Sequence, residues 1–310
     1  MLTRVAWIAF NTYREAVRAR MLLGMLGLAV ATAGYVLIVS AFANRAQLRV
    51  VSDLGSASIS VYGVLVAIVL GATSLYRELE LKTLFPILAR PLRRSEYLVG
   101  KFLGSWLTLS VFIVTNTGAL LVALAVLSGA HPKLGVGAAV GWLLLFGLGL
   151  WRLPRWRIWL PLPAAVLLLL CGVALSAGSP DEQRVLCGSA LLSWCEVAIV
   201  AACATLFSAF SSPFLTALFT LGLFVVGRSA DTLANLPLRM FGAGLRALGG
   251  VASAIVPNLM VYAPERSLLT GEAPGVSLAR YLMLAVVQAI AWVVLLLTAA
   301  SWLFRRRDFL

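Results

Sequence analysis

The chain has 310 residues, of which 61% are hydrophobic and only 12% charged, with a net charge of +13. A soluble domain carries about 25% charged residues, so half that share leaves too little polar surface to keep a globule of this size dissolved. The apolar residues come in blocks long enough to span lipid, and the basic residues cluster between the blocks instead of forming a stripe with interleaved aromatics. That pattern argues against a nucleic-acid partner and for an all-α polytopic bundle in a lipid bilayer.

Residues 1–21 form the first element. On a helical wheel Arg4, Asn11, Arg14, Glu15 and Arg18 fall on one side and Phe10, Tyr13 and Val17 on the other, with Trp7 and Ile8 out of pattern. The preferred reading is a helix lying in the membrane interface, over a plain basic flank to the first span. This stretch runs straight into a full-length span without a small-residue cleavage site, so no removable signal peptide is expected. Apolar blocks then predict spans at about 22–43, 56–76, 102–128, 134–150, 158–177, 185–210 and 281–304, with a shorter block at about 214–227. The short block reaches spanning length by borrowing residues up to about Leu233, with Arg228 snorkelling outward. Within 228–280, the stretch 238–256 is apolar but carries Arg239, Arg246 and several glycines. It reads as a helix lying on or dipping into the outer leaflet rather than as a ninth span.

Orientation follows from Lys and Arg. With eight spans and the N-terminus inside, the inner parts 1–21, 77–101, 151–157 and 305–310 hold 16 of the 25 basic residues. The short outer loops hold Arg45, Arg49, Lys133 and Arg184. Both ends are therefore expected on the cytoplasmic side of the cell's inner (plasma) membrane.

Catalytic and metal-binding patterns are missing from the sequence. Walker A, H-E-x-x-H and G-x-S-x-G do not occur, and His131, the only histidine, sits beside Pro132 in a short loop. Cys171, Cys187, Cys195 and Cys203 lie in apolar stretches without a C-x-x-C pair and read as small apolar residues. No catalytic residue, cofactor or metal site is expected. Glu196 is the one charged residue well inside a predicted span. It either lines a translocation path or, protonated or hydrogen-bonded, holds two helices together. Asn116 and Gln288 are read as interhelical hydrogen-bonding groups.

Residues 77–101 are long for a loop between spans. Glu78, Glu80 and Lys82 open the segment, and Leu81, Leu84, Phe85, Ile87 and Leu88 give it an apolar side. Pro86 predicts a kink, Pro91 an end, and Ser95 a cap for the next helix with Glu96 in its first turn. Such a segment is either a membrane-surface helix or a docking element for a soluble partner; the mixed charge favours docking.

The run Glu78…Thr83-Leu84…Leu88-Ala-Arg-Pro91…Arg94…Tyr97…Gly100-Lys101 resembles the signature of type 2 ATP-binding-cassette (ABC) transporter permeases. The most similar subset contains the permeases of nitrous-oxide-reductase maturation and gliding-motility systems. Further matches follow in order: Ser208-Ala-Phe-Ser-Ser-Pro213, Pro257-Asn258-Leu259 and Phe304-Arg-Arg-Arg-Asp-Phe309. Two features depart from the family. Lys82 stands where a glycine often precedes the threonine, and 134–177 adds a helical hairpin to a six-span core.

The resemblance implies a permease subunit, of an exporter by preference, without its own ATPase. Such a subunit pairs with a second permease, a copy or a paralogue, above two soluble ATP-binding subunits that hold the ATP. It further implies that 78–90 is the coupling helix, with Glu78, Glu80, Thr83, Leu84, Leu88, Arg90 and Arg94 at the docking surface and Arg93 beside them. The competing class is a membrane transporter not driven by ATP, or a membrane assembly factor. A secondary transporter would carry repeated halves with broken helices and several buried ionisable groups.

Overall fold

The computed structural model describes residues 2–80, 94–129, 132–152, 156–235, 249–250, 256–272 and 277–306. Among them eleven α-helices follow in chain order: α1 (Leu2–Arg18), α2 (Met21–Ala41), α3 (Gln47–Glu80), α4 (Arg94–Leu127), α5 (Pro132–Arg152), α6 (Pro161–Leu175), α7 (Pro180–Ser208), α8 (Pro213–Arg228), α9 (Ala230–Ala234), α10 (Arg266–Thr270) and α11 (Leu278–Arg306). Seven described stretches, those of α2 to α7 and α11, are long and apolar enough to cross a membrane, and α8 is a shorter apolar helix. The chain is an all-α polytopic membrane bundle.

Three helices, α3, α4 and α7, begin earlier than the apolar blocks suggest. α3 starts at Gln47, not near 56, because its first turns are amphipathic: Val51 and Ser52 are fully buried while Arg49 and Asp53 pair outside at 3.5 Å. α7 starts at Pro180, a residue whose fixed φ suits the first helical turn, and Asp181 and Glu182 complement the positive end of the helix. Ser95 lies inside the first turn of α4 rather than in front of it.

The core sits on α3, α4 and α7. About 78% of the apolar stretch of α4 and 67% of that of α7 are buried, against 11% for α5 and 17% for α11. α3 and α7 run in the same direction, with Ser52 beside Glu182, Ser60 beside Glu196 and Gly71 beside Ala204. They are very close along this seam. A Cβ at Gly71 would stand 2.3 Å from the Cβ of Ala204, so only a residue without a side chain fits there. In a bilayer, where apolar burial does not favour helix over lipid, such close approach is what makes helices associate.

α1 does not span. It turns at Arg20, which holds the left-handed conformation (φ 58°), and lies along the first turns of α4. A Cβ at Gly104 would stand 2.4 Å from the carbonyl oxygen of Ala9, which fixes that crossing. Tyr13 is fully buried, as the apolar side of the wheel requires, whereas Trp7 is 73% exposed. The turn between α7 and α8 is closed by its own hydroxyls, with Ser211 Oγ 2.7 Å from Thr216 Oγ1 and Pro213 in the first turn of α8.

α5 and α6 are antiparallel neighbours, with Trp142 beside Ala164 and Gly149 beside Leu160. Trp142 Nε1 donates to the Ala164 carbonyl at 2.7 Å, and the Trp142 ring stacks on Phe146 at 5.1 Å. α6 packs on α4, while α5 presents Leu134, Leu144, Leu145 and Leu148 outward.

Candidate functional site

α8 has 16 residues, about 24 Å of helix, short of the roughly 30 Å of a hydrocarbon core. It does not run on to Leu233. Ser229 breaks it, and α9 follows as a separate five-residue turn. Arg228, the last residue of α8, does not snorkel outward; it turns into the bundle onto Glu196, near the middle of the 29-residue α7. Arg228 Nε stands 2.8 Å from Glu196 Oε1, and Nη2 donates to Oε2 at 2.9 Å. The same Nη2 lies 2.7 Å from Ser60 Oγ of α3, which itself donates to Glu196 Oε2 at 2.8 Å. Oε1 has this charge contact alone and accepts no aligned hydrogen bond among the described residues. Glu196 is fully buried and the Arg228 side chain 23% exposed.

This forked geometry suits a guanidinium and a carboxylate, and it ties three helices at one level. Removing one partner of such a buried pair leaves an unpaired charge that costs about 3–5 kcal/mol. Glu196 thus makes its contacts with Ser60 of α3 and Arg228 of α8 from the middle of α7, a position that fits either the path or the clamp that the sequence allows it.

The chain after α9 returns to seal the end of α8. Leu259 N–H donates to the Gly227 carbonyl at 3.0 Å, and Asn258 Nδ2 to Asp231 Oδ1 at 2.7 Å. Tyr281 and Tyr262, by their hydroxyls, bond the Val261 and Ala285 carbonyls at 2.6 and 3.2 Å, fastening this irregular stretch to α11. Burial pushes the Tyr262 phenol well above its ordinary pKa, so it stays a neutral donor. The Pro257-Asn258-Leu259 run therefore has a physical role, because it satisfies backbone that α8 leaves open.

A second polar cluster lies at the opening of the same seam. Arg266 of α10 donates through Nη1 to Asp53 Oδ1 at 2.7 Å and Ser52 Oγ at 2.9 Å, and through Nη2 to Glu182 Oε2 at 2.5 Å. Ser52 also donates to Glu182. The hydrogen bond to Glu182, more than any other contact, raises the Arg266 pKa further, so it stays charged. Between the two clusters lies an open cleft of about 450 Å³ with Ser60, Ser189, Ser193 and Arg228 on its walls. The hydroxyls at 189 and 193 share a helical face with Glu196, giving the cleft a polar floor.

The other predicted residues fare differently. Glu78 and Glu80 lie in the last turn of α3 and Arg94 opens α4, while Thr83, Leu84, Leu88 and Arg90, with Pro86 and Arg93, lie outside the described residues. His131 and almost all of 238–256 lie outside them too. Neither Asn116 nor Gln288 makes the expected interhelical hydrogen bond among the described residues. Asn116 is fully buried with both amide atoms unpartnered. The four cysteines are free thiols, two of them buried. The Arg266–Glu182–Asp53 cluster escaped sequence reasoning. Its signal was Ser179-Pro180-Asp181-Glu182, a helix start with acids in the first turn.

No family model and no curated protein matches the chain.

Proposed function

We propose that the chain is the membrane-spanning permease subunit of an ABC transporter, of the exporter type, in which residues 77–101 pass the motion of a separate ATP-binding subunit into the bundle. The carrying observation is the run from Glu78 to Lys101, with its Thr83-Leu84 and Leu88-Ala-Arg-Pro91 elements, set between two helices of the buried core. α3 continues beyond its apolar stretch (Asn44–Thr73) to Glu80, and α4 begins at Arg94, so a push on their junction enters α3 and α4 together. Through the seam α3 would carry it to α7, and through Ser60, Glu196 and Arg228 to α8. In this reading the ATP belongs to the partner, a second permease completes the translocation path, and the basic clusters hold both ends at the cytoplasmic face of the inner membrane.

The test is co-purification with the ATP-binding protein of a neighbouring reading frame, followed by ATPase assays in lipid. Charge reversal of Glu78 and Glu80 together, or Leu84→Pro, is expected to release that partner or to abolish substrate-stimulated hydrolysis while the bundle stays folded. Unchanged association and coupling in both variants would refute the docking role.

A further inference from the structure

At the end of the bundle where α1 meets α2, a cleft of about 510 Å³ opens between the α1–α2 elbow and the α5–α6 turn. Arg18 and Arg20 line it from the elbow and Arg157 from the hairpin turn, and Leu22, Leu23 and Ile158 form its apolar wall. Among the described residues, none that lines it is acidic. Arg157 donates only through Nε, to the Leu150 carbonyl at 2.8 Å, which leaves its Nη groups free among the described residues. Arg18 and Arg20 make no ion pair among the described residues, and Glu15, the single acid of α1, faces Lys101 at 3.7 Å. A stack of Phe10 on Trp159, with centroids 4.7 Å apart, holds the two walls together.

Two further observations point to a ligand. α2 and α6 begin and α5 ends at this level, and the exposed Trp151, Trp156 and Trp159 mark it as the height of lipid headgroups. Arg20 keeps the left-handed conformation that a glycine would hold without strain, at about 1–2 kcal/mol for any other residue. Packing does not require an arginine there, since its side chain is exposed.

We propose that this cleft binds one anionic phospholipid of the adjoining leaflet, with its phosphate among Arg18, Arg20 and Arg157 and an acyl chain along Leu22, Leu23 and Ile158. Basic pockets between spans suit acidic headgroups, and guanidinium forks match phosphate oxygens. The site needs both the α1–α2 elbow and the described residues at the start of α6, so it gives the 134–177 segment a purpose.

The test uses the full chain, delipidated in detergent, with phosphatidylglycerol, phosphatidylcholine or inorganic phosphate added. Bound lipid is read by native mass spectrometry and the unfolding midpoint by fluorescence. Phosphatidylglycerol is expected to be retained and to raise the midpoint, and the other two probes to do neither. The R18Q/R157Q double variant is expected to lower its retention about thirtyfold, as two arginines near a charged surface predict. R280Q, at the opposite end of the bundle, is expected to change nothing. R20G separates binding from folding: it should hold or raise the lipid-free midpoint while weakening the lipid-dependent rise. Equal retention in the double variant, equal loss in R280Q, or full replacement of the lipid by inorganic phosphate would each overturn the proposal.

Discussion

The α3–α7 seam of the core, with the end of α8 clamped to it, and the α5–α6 pair are both built from strongly apolar helices, yet different forces fix them. In the core, charges are paired at two levels and α3 meets α7 where a side chain would not fit. In the α5–α6 pair, one hydrogen bond from Trp142 to the Ala164 carbonyl joins the two helices, the Trp142 ring stacks on Phe146 of its own helix, and little of either apolar stretch is buried. Polar pairs have a definite geometry and fail all at once when a partner moves, whereas apolar faces slide at little cost. The core is built to hold or change state as a unit; the hairpin is built to stay attached.

The strongest way to break this contrast is to unpair the inner clamp. Glu196→Leu or Arg228→Leu is expected to lower stability by about 3–5 kcal/mol, and the double variant to recover most of the loss, in thermal unfolding of the purified protein. Single variants as stable as wild type would show that the pair does not hold the helices. Next, Gly71→Leu forces a side chain against Ala204 and is expected to cost about 1–3 kcal/mol in the same measurement. On the hairpin side, Trp142→Phe removes the bond to Ala164 and is expected to cost about 1 kcal/mol, with faster hydrogen exchange confined to α5 and α6. Exchange that spreads to α7 would mean the hairpin is part of the core. The smallest effect is expected at Tyr13, a phenol that burial raises to about 12 and whose buried hydroxyl has no partner among the described residues. Tyr13→Phe is expected to leave the midpoint within about 0.5 kcal/mol of wild type between pH 6 and 9, since no charge forms there in either state.

Hydropathy made the spans legible because a bilayer enforces length: all seven long apolar blocks became helices close to where the sequence put them. The two helices within 134–177 were legible as apolar blocks for the same reason. What hydropathy hid were charges that satisfy one another. Arg228 at the end of a short apolar block looked like a group reaching for water, because its partner lies 32 residues away on α7. Asp53 and Glu182 fall between the apolar blocks, because the helices that carry them extend beyond those blocks. Asn116 was wrong in the other direction: polar span residues usually find a partner, and this one has none among the described residues. The motif at 257–259 was visible as a string, but its role in closing α8 needed the backbone contact to Gly227.

The short reach of α8 also bears on how the protein is made. A hydrophobic segment this brief, ending on an arginine, gives the insertion machinery a weak signal when it first emerges. Its lasting placement depends on Glu196, already synthesised on α7, and on Leu259, still to come. These contacts predict an ordered biogenesis, with α7 seated before its acid captures α8 and the 256–262 stretch closing on both. A nascent chain arrested before residue 256 should hold α8 loosely, open to labelling from the aqueous side.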